Sequence, residues 1–128
     1  MDPAELNYTT THEWIYAHRG VAAVGITEFA VRALTDLVYI DLPDVGRMLG
    51  VGEVFGEVES VKAVSELCAP VAGKVIEVNE SLPDELDILS EDPYGRGWMI
   101  KLNISEPSAL HALLDLAAYQ EHCTTDSH

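Results

Sequence analysis

The chain has 128 residues and a formal net charge of −15, with 22 Asp and Glu against 7 Lys and Arg. That length holds one domain with a hydrophobic core and not two comfortable ones, and the acidic balance argues against nucleic acid or an anionic membrane surface as partner. The two cysteines, Cys68 and Cys123, stand far apart in a composition that is 48% hydrophobic, which is not the framework of a disulfide-stapled secreted domain and points to a reducing compartment.

No apolar run reaches membrane-spanning length, and "MDPAELNYTT" has neither the basic region nor the apolar stretch of a secretory signal, so a cytoplasmic or organelle-matrix protein is expected. "HEWIYA", residues 12–17, is the first strand candidate, with Trp14 and Tyr16 on one face. "RG" at 19–20 turns the chain and "VAAVGI" at 21–26 pairs back as a hairpin. Thr27 caps a short helix, "EFAVRAL", with Glu28 at its positive end. "DLVYIDLP" restores alternation as a strand that Pro43 ends.

From there to residue 80 the chain is dense in valine and punctuated by glycine. "GEVFGEVES" at 52–60 is echoed by "GKVIEVNES" at 73–81, which reads as two similar hairpins in one all-β core rather than a solenoid repeat. Residues 82–97 carry turn residues and a short helical stretch at "DELDIL", and "WMIKLNI" at 98–104 is the last strand. After Pro107, Leu110, Leu113, Leu114 and Ala117 take helical spacing behind Ser105 or Ser108, predicting a C-terminal helix that reaches past Asp115 toward Tyr119. A tail from about residue 122 should fray. The sum is a single all-β-dominated domain over residues 1–128, a barrel or two packed antiparallel sheets, with short peripheral helices and a C-terminal helix.

One stretch stands out for its chemistry: "GEVESVKAVSELCAP", residues 56–70, sets Lys62, one of three lysines, between Val61 and Ala63 with acids on both sides. A helix would place Glu59, Lys62 and Glu66 on one charged stripe, but Gly50, Gly52, Gly56 and the β-branched residues weigh against it. As strands, the two halves must meet near Val61 and Lys62, neither of them a usual turn former. A lysine at such a tip reads as a polar tip or an edge gatekeeper, or as the fixed base of a long lever that presents a group attached to its amine to a partner enzyme. Flanking acids hold an ammonium charged and make it a poor general base.

That stretch, together with "YTTTHEW", "VGITEFA", "VYIDLPDVG", "VNESL", "EDPYGRGWMIK" and "LLDLAAY", resembles the lipoyl-carrying H proteins of the glycine cleavage system, from about Tyr8 to Tyr119. The resemblance implies a flattened barrel-sandwich hybrid with lipoic acid joined by an amide to Lys62. It implies a carrier that is not itself an enzyme. The arm accepts the aminomethyl group of glycine from a pyridoxal-phosphate decarboxylase and yields it to a tetrahydrofolate-dependent aminomethyltransferase. Dihydrolipoamide dehydrogenase then reoxidises the arm. A lipoate-attaching enzyme reads Glu59, Ser60, Val61 and Ala63 around the lysine. Thr11 and Glu13, with Glu66 as a further acidic wall, line a cleft that shelters the loaded arm. A monomer is expected, cytoplasmic in a bacterium and in the mitochondrial matrix in a eukaryote.

Without the resemblance, Glu59 and Ser60 read as solvated rim residues, Val61 as a partly exposed apolar tip and Glu13 as an outward strand residue. Rival readings are another lipoyl or biotinyl carrier, against which "ESVKA" and "THEW" argue, and an H-like lipoyl donor or partner-binding protein outside glycine cleavage. A hydrolase is disfavoured, since no nucleophile has recognisable spacing from His12, which reads as a packed or hydrogen-bonded histidine. The histidines at 18, 111, 122 and 128 show no partner cluster or metal-ligand spacing. Three departures from the family pattern are Thr35 in place of glycine at a helix-to-strand junction, Cys68 in place of a larger residue, and the altered loop "LDILS" at 86–90.

Overall fold

A computed structural model describes residues 5–105, 110 and 112–125. In chain order the elements are β1 (Asn7–Tyr8), β2 (Glu13–His18), β3 (Val21–Ile26), α1 (Glu28–Leu34), β4 (Leu37–Asp41), β5 (Met48–Leu49), β6 (Val54–Ser60), β7 (Val64–Cys68), β8 (Gly73–Val78), α2 (Asp87–Glu91), β9 (Ile100–Ile104) and α3 (Leu116–Thr125). A single 3-10 turn, Leu82–Asp84, precedes α2.

Local signals account for the first third of the chain. Arg19 and Gly20 both take positive φ, 53° and 81°, as a two-residue turn matched to strand twist requires. The β2–β3 hairpin therefore closes with His18 opposite Val21. Thr27 caps α1 as expected: its hydroxyl accepts from the Ala30 amide at 3.3 Å, its carbonyl from the Val31 amide at 3.0 Å.

Six strands in the order β1-β2-β3-β9-β8-β5 form one antiparallel sheet, and β4-β6-β7 form another. One apolar core takes side chains from both: Ile15, Val24, Val75 and Leu102 from the larger sheet meet Ile40, Phe55, Val58 and Leu67 from the smaller. Burying these side chains, at roughly 1.5–3 kcal/mol each, holds the sheets face to face. This is the flattened barrel-sandwich hybrid that the resemblance implied. A second cluster of Leu6, Tyr8, Trp14 and Tyr119 fastens α3 to β1 and β2.

Two expectations are corrected. The echoing segments are not two similar hairpins: β6 pairs with β4 and β7, whereas β8 pairs with β5 and with β9, which lies beyond the helical connection. The C-terminal helix does not run through Leu113 and Leu114. Leu114 instead pairs with Tyr8 in an antiparallel bridge, and α3 begins after Asp115, whose carboxylate accepts from the Ala118 amide at 2.8 Å as an N-cap. Residues 122–125, the first part of the expected tail, continue α3. The candidate helix starter Ser108, and His111 and His128, lie outside the described residues.

Close approach of β4 to β6 requires glycine at position 56, where a Cβ would overlap the Asp41 carbonyl oxygen. Gly56→Ala should therefore lower stability by about 1–3 kcal/mol, since backbone and not a flexible side chain must yield. Urea denaturation followed by circular dichroism checks this, with a fall in midpoint expected.

Candidate functional site

The β6–β7 hairpin turns without glycine, asparagine or any residue at positive φ between Ser60 and Ala63. It does so with a side chain. The Ser60 amide donates to the Ala63 carbonyl at 2.8 Å, while the Lys62 and Ala63 amides both donate to Ser60 Oγ, at 3.2 and 3.1 Å. The same hydroxyl donates to the Ala63 carbonyl at 3.2 Å. The Val61 amide donates to the Asp36 carbonyl at 3.0 Å, tying the tip to the α1–β4 junction. All four consecutive amides are thus satisfied. Thr35 sits at that junction at φ 59° and ψ −132°, a strained conformation for a β-branched residue, so the departure from glycine does carry a backbone cost there.

With the backbone fully bonded, the side chains of Val61, Lys62 and Ala63 project into solvent, Val61 with 72% of its surface exposed. Ser60 is buried and is the hub of the turn, not a solvated rim residue. Glu59 is half-buried opposite Val64. Among the described residues none forms an ion pair with the Lys62 ammonium. A solvated, unpaired amine on a fixed base fits acylation by a carboxylic acid cofactor.

At the other end of the same hairpin lies a cleft of about 370 Å³, lined by Thr9, Thr11, Glu13 and Cys68 together with apolar Tyr8, Val51, Leu113 and Leu114. Cys68 is six residues beyond Lys62, about 20 Å at the usual rise per strand residue. Glu13 is only 1% exposed, which corrects the outward-facing alternative. Its Oε1 accepts from the Thr9 hydroxyl at 2.6 Å and from the Thr11 hydroxyl, and its Oε2 from the Cys68 amide at 3.3 Å. Burial raises the Glu13 pKa, and these hydrogen bonds oppose that rise. Thr11 and Glu13 are therefore brought together as expected. Glu66 is not with them: it stands exposed on β7, outside the cleft lining. Burial and the charges of Glu13 and Glu66 raise the Cys68 pKa, keeping it a thiol at neutral pH.

His12 is packed and hydrogen-bonded. Its ring stacks on Phe29 with centroids 4.6 Å apart, and Nδ1 lies 2.7 Å from the Tyr119 hydroxyl. That hydroxyl also meets Thr27 Oγ1 at 2.6 Å, and burial raises its pKa. From α3, His122 Nε2–H donates to the Thr10 carbonyl at 2.9 Å, so the helix clamps the cleft's threonine wall.

Sequence reasoning missed the Thr9 hydroxyl, the Cys68 amide and the Asp36 carbonyl. Thr9, Thr11 and Glu13 recur at a spacing of two, a pattern that could have joined Thr9 to the site. The Asp36 and Cys68 contacts are made by main-chain atoms and leave no trace in residue type.

Residues 6–126 match the family model described as glycine cleavage H-protein. The chain is 53% identical over 118 residues to a glycine cleavage system H protein of Anaeromyxobacter sp. (strain K), covering 92% of each. It is 49% identical over 119 residues to one from Thermotoga maritima, covering 93% of this chain and 96% of that one. A crystal structure of a glycine cleavage system H protein from Mycobacterium marinum superposes with a TM-score of 0.82 at 38% identity, over 99% of this chain and 100% of that one.

Two outcomes follow from this geometry. Ser60→Ala strands two amides that share one hydroxyl and should cost about 1–3 kcal/mol, with faster hydrogen exchange at Lys62 and Ala63. Because Glu13 has a raised folded-state pKa, its contribution to stability is fully present below its unfolded pKa and is lost as pH rises through the folded value. Thermal melts of the parent and of Glu13→Gln, run from about pH 4, near an ordinary carboxylate's pKa, up to about pH 8, should show the parent gaining on the variant as pH falls.

Proposed function

The chain belongs to the glycine cleavage H-protein family, and we propose that it is a lipoyl carrier whose arm is attached to Lys62. The observation that supports this most is the tip itself: a solvated amine without an ionic partner, on a turn whose four amides are all bonded. Chemically, a lipoyl dithiolane supplies a reversible acceptor for both an aminomethyl group and an electron pair, which no ordinary side chain offers. The protein serves as a co-substrate and not as an enzyme. Its partners are a pyridoxal-phosphate glycine decarboxylase, a tetrahydrofolate-dependent aminomethyltransferase, dihydrolipoamide dehydrogenase and the enzyme that attaches lipoate.

The chain's own residues divide the work between the ends of one hairpin. Ser60 sets the direction in which Lys62 leaves the turn, and Glu59, Val61 and Ala63 flank the amine where the attaching enzyme must reach it. In the cleft, Thr9 and Thr11 fix the Glu13 carboxyl by donating to it, and its burial excludes water from around it. A carboxylate held there favours an ammonium group over a neutral amine. The apolar walls from Tyr8, Val51 and Leu113 suit a hydrocarbon arm. No helix among the described residues is long and apolar enough to cross a membrane. A cytoplasmic or matrix location suits such a carrier. A role in partner binding outside glycine cleavage is the less favoured reading, given the matching length and identity of the relatives.

Incubation with a lipoate ligase, lipoate and ATP, followed by intact mass and peptide mapping, tests the assignment. One lipoyl amide confined to Lys62, absent from Lys62→Arg and from Lys74 and Lys101, is expected. A folded protein that takes up no lipoate, or takes it up elsewhere, would sink the reading.

A further inference from the structure

The smaller sheet presents a face whose charge the chain itself does not balance. Strand register sets Asp41 opposite Glu57 and Glu57 opposite Glu66, and the next row toward the tip holds Tyr39, Glu59 and Val64. These six share one face, because they are two apart on each strand and the residues between, Ile40 and Val58, are buried in the core. Like charges set directly opposite one another across strands are destabilising. No lysine or arginine occurs anywhere in β4, β6 or β7. Arg47 borders a shallow cavity with Asp41 and Glu57, but its Nη2 is held by Glu53 at 3.1 Å and by the Val54 carbonyl at 3.0 Å. Among the described residues none forms an ion pair with Asp41, Glu57, Glu59 or Glu66.

Apolar surface completes the face at its lysine end. Val38, Tyr39, Val61 and Val64 are 54%, 49%, 72% and 56% exposed, and they gather around the tip that carries Lys62. An uncompensated carboxylate row behind an apolar rim is complementary to a partner with cationic side chains beside an apolar contact. Enzymes acting on the far end of an arm are held off by its length. The enzyme that forms the amide must bring its active site to Nζ itself, so its surface comes down on the residues around the tip.

We propose that the outer face of the β4-β6-β7 sheet is the docking surface for the enzyme that acylates Lys62, with that enzyme's arginine or lysine side chains over the Asp41-Glu57-Glu66 row and an apolar contact over Tyr39, Val61 and Val64. The inference rests on the carrier reading above. Docking on this face orients the hairpin, so that Lys62 enters a narrow active site along its own axis. The row acts through encounter and residence of the complex and touches no reacting atom.

Steady-state lipoylation of the full chain by a purified lipoate ligase, across a range of NaCl concentrations, tests it. The row variant Asp41→Asn/Glu57→Gln/Glu66→Gln is compared with a control of equal charge change elsewhere, Glu80→Gln/Asp84→Asn/Glu91→Gln. The row variant should raise KM on the order of tenfold with kcat little changed, and flatten the salt dependence, while the control follows the parent. Its Tm should equal or exceed the parent's, because like charges have been removed. Each single substitution should move KM in the same direction by about twofold, which keeps the test decisive if the triple variant folds poorly. A row variant whose KM and salt dependence match the control's overturns the docking face while leaving the carrier reading intact. A parent protein that accepts no lipoate at all overturns both.

Discussion

The structure turns on a hydroxyl that stands in for a carbonyl. A hairpin that ends in Val-Lys-Ala has none of the residues that reverse a strand easily, and its twist has to be reconciled with φ angles that stay negative. Ser60 resolves this by receiving two amides on its side chain while its own amide closes the ladder to Ala63. The side chain must be buried to do so, which fixes the parity of β6: with Ser60 and Val58 inward, Glu57 and Glu59 face outward. The acid pattern of the outer face thus follows from the turn chemistry. So does the exposure of Lys62, since a turn with no amide left to satisfy has no need of the lysine side chain.

The same hairpin joins two kinds of surface. At its tip the backbone is closed and the side chains are free. At its base a side chain, Glu13, reaches a backbone amide, Cys68, and that bond spans the two sheets, because Glu13 opens β2 and Cys68 ends β7. Tip and cleft are therefore fixed relative to one another by one pair of antiparallel strands and one buried carboxylate. A rigid ruler of this kind is what a tethered group needs if it is to be handed outward and then returned to a constant place.

What could be read from residues alone divides along the range of the interactions. The β2–β3 hairpin, α1 with its Thr27 cap, and β9 were legible, since each is announced by neighbours within a few positions. Leu114 was misassigned to a helix because its spacing was helical, and a partner more than a hundred residues away, Tyr8, claimed it for a bridge. Asp115, the true helix start, carried a capping signal that the leucine pattern obscured. The Val and Glu echo misled because strand pairing is not written in strand composition. At the site, Lys62, Thr11 and Glu13 came from the resemblance. Ser60 was named for recognition and its structural part overlooked, and Glu66 was placed in the cleft although it lies two residues short of Cys68 on the outer face.

The bridge between Tyr8 and Leu114 has a consequence for how the molecule is made. Every hydrogen bond that shapes the lysine-bearing turn involves residues between Asp36 and Ala63. The cleft, by contrast, needs Leu113 and Leu114 for a wall and His122 to clamp its threonines. On a chain that leaves the ribosome N-terminus first, the residues that assemble the attachment point emerge before those of the cleft's far wall, and the shelter closes only after α3 is released. Birth order thus separates the two halves of the device in time, with the point of attachment preceding the place of storage.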